Sequence, residues 1–164
     1  MKNFIKKALR ENLDLEFLRT PENITLSDEE KSYIKNINWS DLKIEQGPGS
    51  KIIPIFVTIP QIPSASDGIA TDIQITSLGL FQIHITLAQE LRGLGLSYKI
   101  YKAIIMTYGH LFSGIGRRMN DVEVPKIWNK LAQDSDITCK TSDLGNICIS
   151  NQAPNKDELL NIIT

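Results

Sequence analysis

A chain of 164 residues is the size of one average domain, and 41% hydrophobic with 23% charged residues groups it with ordinary globular proteins. Disordered, collagenous and membrane-spanning classes are excluded on those grounds. Eighteen basic against nineteen acidic residues leave a formal charge of −1, so there is no global basic field for non-specific nucleic-acid binding.

Cys139 and Cys148 are too few for a disulfide scaffold and lack metal-ligand spacing, so both read as reduced packing residues and no metal is expected. The apolar runs fall well short of the roughly 18 residues that a membrane span needs. Lys2, Lys6 and Lys7 interrupt the N-terminal apolar residues, unlike a signal core. Cytoplasmic residence is the default expectation, with no membrane and no nucleic-acid partner, as a monomer or homodimer.

In chain order, Phe4, Ile5, Ala8 and Leu9 at helical spacing predict a short amphipathic helix docked on the core, with a membrane-surface helix as the sharper alternative. Ser27-Asp28-Glu29-Glu30 is a capping box and predicts a second helix running to about Asn36. Gly47-Pro48-Gly49 closes a helical part over residues 1–50 that shows no convincing first strand. The run from Ile52 to Ile59 is the most apolar in the chain and predicts a strand, with Pro54 marking an edge or bulge. Pro60 to Gly68 reads as an exposed loop of the kind that lines sites.

Ile69–Thr76 and Leu80–Leu87 alternate in period two around the turn Ser77-Leu78-Gly79. Matching their apolar faces pairs Ile75 with Phe81 and Ile73 with Ile83, and the same register sets Gln74 opposite Gln82 and Asp72 opposite His84. A helix follows from Leu96 to about Gly109 through Ile100, Ala103, Ile104 and Thr107, with His110 as a C-terminal charge or cap. His110–Ser113 suggests a short strand. A helix over Val124–Gln133 buries Ile127, Trp128 and Leu131, with Pro125 in its first turn. Ile137–Cys139 and Ile147–Ile149 flank a turn at Ser142–Asn146, before a terminal helix from Lys156.

The segment from Leu87 to Leu96 carries the most chemistry. Gly93 and Gly95 allow close backbone approach, the free amides of a helix start point at whatever sits there, and Arg92 adds a full positive charge. That combination suits a phosphate or pyrophosphate, with close packing of strand against helix as the competing reading. The dinucleotide fingerprint fails because Tyr98 stands where its third glycine belongs, and the Gly-Lys-Ser/Thr of a P-loop is absent.

Glu90-Leu91-Arg92-Gly93-Leu94-Gly95, after a strand and before a helix, resembles the acyl-CoA loop Q/R-x-x-G-x-G/A of the GNAT superfamily of N-acyltransferases. Leu87-Ala88-Gln89 stands in the place of the family's Val-x-Pro. Asn120, then Pro125, Trp128 and Leu131, resembles its later asparagine and aromatic helix. The likeness spans about Ile52 to Ile149. Two positions depart from the pattern: Glu90 replaces Gln or Arg, and Trp128 replaces a tyrosine able to protonate the leaving thiolate.

The resemblance implies an α/β (α+β) fold with a mixed, mostly antiparallel sheet flanked by helices on both faces, in a single domain over residues 1–164. Residues 51–150 would form the acyl-CoA-binding core and 151–164 a tail. It implies transfer of an acetyl group from acetyl-CoA to a small-molecule or protein amine by direct attack, without a nucleophilic Ser or Cys. Its alternative is a silent module that binds acyl-CoA or a protein. The cosubstrate would be held by Ile85, Leu87, Leu91, Arg92, Gly93, Leu94, Gly95, Leu96, Asn120 and Trp128, with the amides from Leu91 to Leu96 on the pyrophosphate. His84 would be the base and Asp72 its orienting partner. A merely solvated polar sheet face is the competing reading of both. Arg117-Arg118 would meet the 3′-phosphate or remain a solvated basic turn.

Overall fold

The structure, a computed structural model, describes residues 20–114 and 123–163, side chains of 123–125 excepted. The helix expected over residues 2–12, the Arg117-Arg118 turn and Asn120 lie outside the described residues. Helices and strands mix as expected, and seven strands follow the order β1-β2-β3-β4-β5-β7-β6, mostly antiparallel. The described chain divides into two compact units, one of residues 20–74 and 84–96, the other of 75–83, 97–114 and 123–163.

In the first unit, helix α1 (Asp28–Asn36) starts where the capping box predicts. The Glu30 amide donates to Ser27 Oγ at 3.1 Å, and the Ser27 amide donates to Glu30 Oε1 at 2.9 Å. Two amides at the helix start thereby gain partners. Ile34 is its fully buried anchor, and truncation to Ala would cost about 3 kcal/mol in transfer and cavity energy.

A strand follows that sequence pattern did not announce: β1 (Lys43–Gln46), where only Ile44 is apolar, pairs antiparallel with β2 (Ile52–Thr58). A polar strand of four residues suits a sheet edge. β2 also pairs with β3 (Ile69–Ile75), so Pro54 lies in an interior strand and not on an edge. The ladder with β1 ends at Ile55, so the amide that proline lacks falls beyond it, and the Pro54 carbonyl still accepts from the Gly47 amide at 2.8 Å.

The stretch from Pro60 to Gly68 is less exposed than its composition suggests. A 3-10 turn over Pro63–Gly68 buries Ala65 and Gly68, and Ile62 is buried just before it. A Cβ on Gly68 would sit 2.9 Å from Ile24 Cδ1 and 3.0 Å from Leu91 Cδ1, so this loop is tightly packed where it meets β3.

In the second unit, the turn after β3 closes as predicted. The Thr76 amide donates to the Leu80 carbonyl at 2.9 Å and the Leu80 amide to Thr76 Oγ1 at 3.1 Å, the offset that sets Ile75 against Phe81. β4 (Phe81–Leu87) pairs in parallel with β5 (His110–Gly114) at Gln82 and Phe112. Between them in sequence, α2 (Leu96–Tyr108) buries Ile100, Tyr101, Ala103, Ile104 and Ile105. Thr107, expected on that buried face, is exposed and turns its hydroxyl back to the Ala103 carbonyl at 2.7 Å.

Helix α3 (Glu123–Ala132) buries Trp128 and Leu131, while Ile127 is only half-buried. β6 (Ile137–Ser142) and β7 (Gly145–Ser150) form a longer hairpin than expected, because Ser142, Gly145 and Asn146 are strand residues and only Asp143 and Leu144 turn. Leu80, Phe112, Ile147, Ile149, Leu159 and Ile163 form one apolar cluster, to which α4 (Lys156–Ile162) brings Leu159.

The expectation of reduced cysteines is overturned. Cys139 and Cys148 stand directly opposite in the β6–β7 register and are joined by a disulfide, with Cα atoms 4.1 Å apart. Spacing alone could not show this, because proximity depends on the register of the hairpin.

Candidate functional site

The glycine segment lies in the first unit and is built on the end of β4. The Ala88 amide donates to the Gly68 carbonyl at 2.8 Å, which ties the strand end to the start of β3. A 3-10 turn over Gln89–Leu91 follows, in which the Leu91 amide donates to Ala88 at 3.0 Å and the Arg92 amide to Gln89 at 3.1 Å. Leu91 is fully buried and Leu94 and Leu96 nearly so. These leucines pin the loop to the core, while Arg92, Gly93 and Gly95 between them are exposed.

Gly93 and Gly95 have φ of +76° and +74°, the left-handed region that a side chain disfavours. A Cβ built on either would meet nothing within 4 Å. Close packing therefore does not explain these two glycines; backbone conformation does, and it leaves the main chain bare. The Arg92 Nε donates to the Leu87 carbonyl at 3.1 Å, which fixes the side chain over the strand end and keeps the Nη donors beyond it. The amides of Leu91 and Arg92, expected to face an anion, are already committed to the 3-10 turn, so the main-chain donors of the segment are those after Arg92.

Glu90, the residue that departs from the acyl-CoA loop pattern, has a partner from outside the loop. Its Oε2 lies 3.2 Å from Lys31 Nζ on α1. Lys31 was not singled out from sequence, since 59 positions separate the two residues and no local pattern links them.

His84, on β4, is half-buried, and its Nε2 lies 3.3 Å from Gln74 Oε1 on β3. An amide oxygen can only accept, so this contact is a hydrogen bond in the tautomer whose Nε2 carries the proton. Asp72, expected to orient the imidazole, is 4% exposed and faces Pro54 of β2 in the strand register. Gln74 is thus a side-chain partner of His84 that register reasoning had paired with Gln82. Ile85 is half-buried and Leu87 buried.

Trp128 belongs to the second unit, where it is 8% exposed and packs edge-on to Tyr101 with ring centroids 6.0 Å apart. Its indole Nε1 is buried without a hydrogen-bond partner among the described residues. An orphaned buried donor costs about 1–3 kcal/mol.

Two polar features of the same unit escaped sequence reasoning. The hydroxyl of Tyr98 donates to Asp134 Oδ2 at 2.5 Å, and Lys102 Nζ lies 2.8 Å from that oxygen and 3.1 Å from Asp136 Oδ2. Burial and then the Asp134 carboxylate raise the Tyr98 pKa, so the phenol stays protonated. Burial alone would lower the Lys102 pKa, but its bonds to Asp134 and Asp136 turn the shift upward. His110 opens the strand that His110–Ser113 suggests and is not a helix C-terminal charge or cap: it is buried in β5, and burial lowers its pKa to about 4.

Among the described residues there is no cluster of three or more His, Cys, Asp or Glu placed to hold a metal ion, and no helix is long and apolar enough to cross a membrane. Compared with protein-family models and with curated proteins, the chain matches none.

Proposed function

We propose that this chain is an acyl-CoA-dependent N-acetyltransferase of the GNAT type, transferring an acetyl group from acetyl-CoA to an amine. The observation that carries the reading is the pair Gly93 and Gly95, both left-handed, both with open space where a side chain would stand, and both between a strand end and a helix. Bare backbone amides beside Arg92 suit the pyrophosphate of coenzyme A. The mixed sheet, with one parallel pair among antiparallel ones, is of the kind the resemblance implies. Glu90 fits once its partner is counted, since Lys31 matches its charge.

In this reading the amine nitrogen attacks the thioester carbonyl carbon, the C–S bond breaks, and coenzyme A leaves as a thiolate. His84 Nδ1 takes the proton that the amine loses, while Gln74 holds the ring through Nε2. Binding both substrates side by side supplies much of the rate. The acceptor is a small-molecule or protein amine, and its class would be set by the loop from Pro60 to Gly68 and the N-terminal residues. The Cys139–Cys148 bond counts against the expected cytoplasmic residence, since a reducing compartment keeps thiols open; counting free thiols after extraction into a thiol-blocking reagent decides the matter.

Trp128 favours a second reading, a silent module that binds acyl-CoA without turnover, because an indole N–H cannot supply a proton to a thiolate at neutral pH. Acetyl-CoA should raise the melting temperature under either reading, since a ligand of the native state stabilises it by mass action. No shift at millimolar acetyl-CoA would sink both. Thiol release with a panel of amines then separates enzyme from module.

A further inference from the structure

We infer that Lys31 is a positioning residue for the acyl-CoA loop, acting through Glu90 and not on the ligand itself; the inference rests on the reading above. The loop from Gln89 to Leu96 carries one acidic and one basic side chain, Glu90 and Arg92, so by itself it offers an anion no net charge. The Lys31 ammonium, 3.2 Å from Glu90 Oε2, holds that carboxylate against α1 and matches its charge where it stands.

The pair is a surface one, with the two side chains 36% and 38% exposed. Such pairs contribute little to stability, about 0–1 kcal/mol. The consequence of the pair therefore lies in where the Glu90 carboxylate is held: paired with α1, its charge is kept from turning towards a polyvalent anion at the loop. The rest of the framework holds the partners in place. Leu91, next to Glu90, is fully buried, and α1 is anchored by Ile34 and started by its capping box. Helix α1 thus becomes part of the cosubstrate site without touching it, and the Glu90 departure from the Q/R-x-x-G-x-G/A pattern is offset from a distant part of the chain.

The test is calorimetric titration of the full chain with acetyl-CoA at low and high ionic strength, for the wild type and for Lys31→Met, Lys31→Arg, Glu90→Gln and the double variant Lys31→Met/Glu90→Gln. Methionine keeps the apolar stem and removes the charge. Lys31→Met should weaken binding by about threefold to tenfold at low salt, an effect that shrinks at high salt. Lys31→Arg should restore it. Glu90→Gln alone should tighten binding, and in that background Lys31→Met should cost less than about twofold, since no carboxylate remains to be matched. Wild-type affinity in Lys31→Met overturns the inference. So does an equal loss in both backgrounds, which would mean that the ammonium meets the ligand directly. A wild type that gives no heat with millimolar acetyl-CoA overturns the underlying function as well, and is distinguishable because no variant is then needed to see it.

Discussion

The ring of His110 lies nearly parallel to that of Phe81, centroids 4.6 Å apart, and its Nε2 accepts the Phe81 backbone amide at 3.1 Å. One imidazole thus packs as an aromatic and serves as the acceptor that a strand carbonyl would otherwise be. It can do so only while neutral. Burial holds its pKa at about 4 against an ordinary 6.5, so the unfolded chain takes up the proton first as pH falls. Stability from this group is complete above pH 6.5, declines from there to about pH 4, and levels below. Between pH 6.5 and 5 the loss should be about 2 kcal/mol. Urea unfolding across that range should show it, and His110→Gln, whose Oε1 can replace Nε2 without titrating, should remove that part of the slope whatever it does to the baseline.

The Tyr98–Asp134–Lys102 network makes a second prediction. Burial opposes ionisation of Asp134, but hydrogen bonds from Lys102 and Tyr98 outweigh it and hold the carboxyl below its usual range. Asp134→Ala takes the acceptor from the Tyr98 phenol and the nearer of two carboxylates from the Lys102 ammonium, and should cost about 3 kcal/mol. Asp136, half exposed, should cost less than about 1 kcal/mol on the same change. Chemical denaturation of the two variants checks the order, and equal losses would refute it.

Gly93, Gly95 and Gly79 share a backbone conformation, with φ of +76°, +74° and +76°, and all three have open space at the Cβ position. Alanine at any of them should therefore cost a similar amount, about 1 kcal/mol, from backbone strain without a clash. Ligand binding should separate them. Gly93→Asp adds a charge beside the bare amides and should weaken acetyl-CoA binding at least tenfold, whereas Gly79→Asp, in the turn after β3, should leave affinity unchanged. Equal affinity in Gly93→Asp would place the cosubstrate elsewhere.

His84→Ala should remove turnover and leave acetyl-CoA affinity intact, because the base acts on the acceptor amine. Gln74→Leu keeps the size of the side chain but removes the bond to Nε2, which weakens the hold on the ring. Turnover should fall about tenfold, with little change in affinity for acetyl-CoA. Unchanged turnover in His84→Ala would end its assignment as base.

Local chemistry makes much of the fold legible in the sequence. Ser27 and Glu30 announce a helix start because both ends of the capping box lie within four residues. Ile75 and Phe81 announce a hairpin because the turn between them is short. The unread features are those that need two distant stretches at once. Lys43-Ile44-Glu45-Gln46 has no strand periodicity and becomes β1 only by pairing with β2. Tyr98 and Asp134 are 36 residues apart, and Lys31 and Glu90 farther, so no spacing rule joins them. Within the site, the glycines were legible as a type of conformation, but their φ values and the loss of two loop amides to the 3-10 turn were not. The contact between Gln74 and His84 was not legible for a different reason: cross-strand register names the residue directly opposite, while a long side chain can reach its diagonal neighbour.

The covalent link between Cys139 and Cys148 falls at the third of the six residue pairs of the β6–β7 ladder, and β6 is the last strand in the order. A terminal strand ordinarily can peel off and be traded with the same strand of another molecule, which is how swapped dimers and open-ended assemblies begin. Here β6 cannot leave by itself while the bond is closed. Any exchange must carry the whole hairpin, including the interior strand β7 and the apolar residues Ile147 and Ile149 that it contributes to the core. Oxidation thus converts a weakly held border of the sheet into one that can be surrendered only by dismantling the interior.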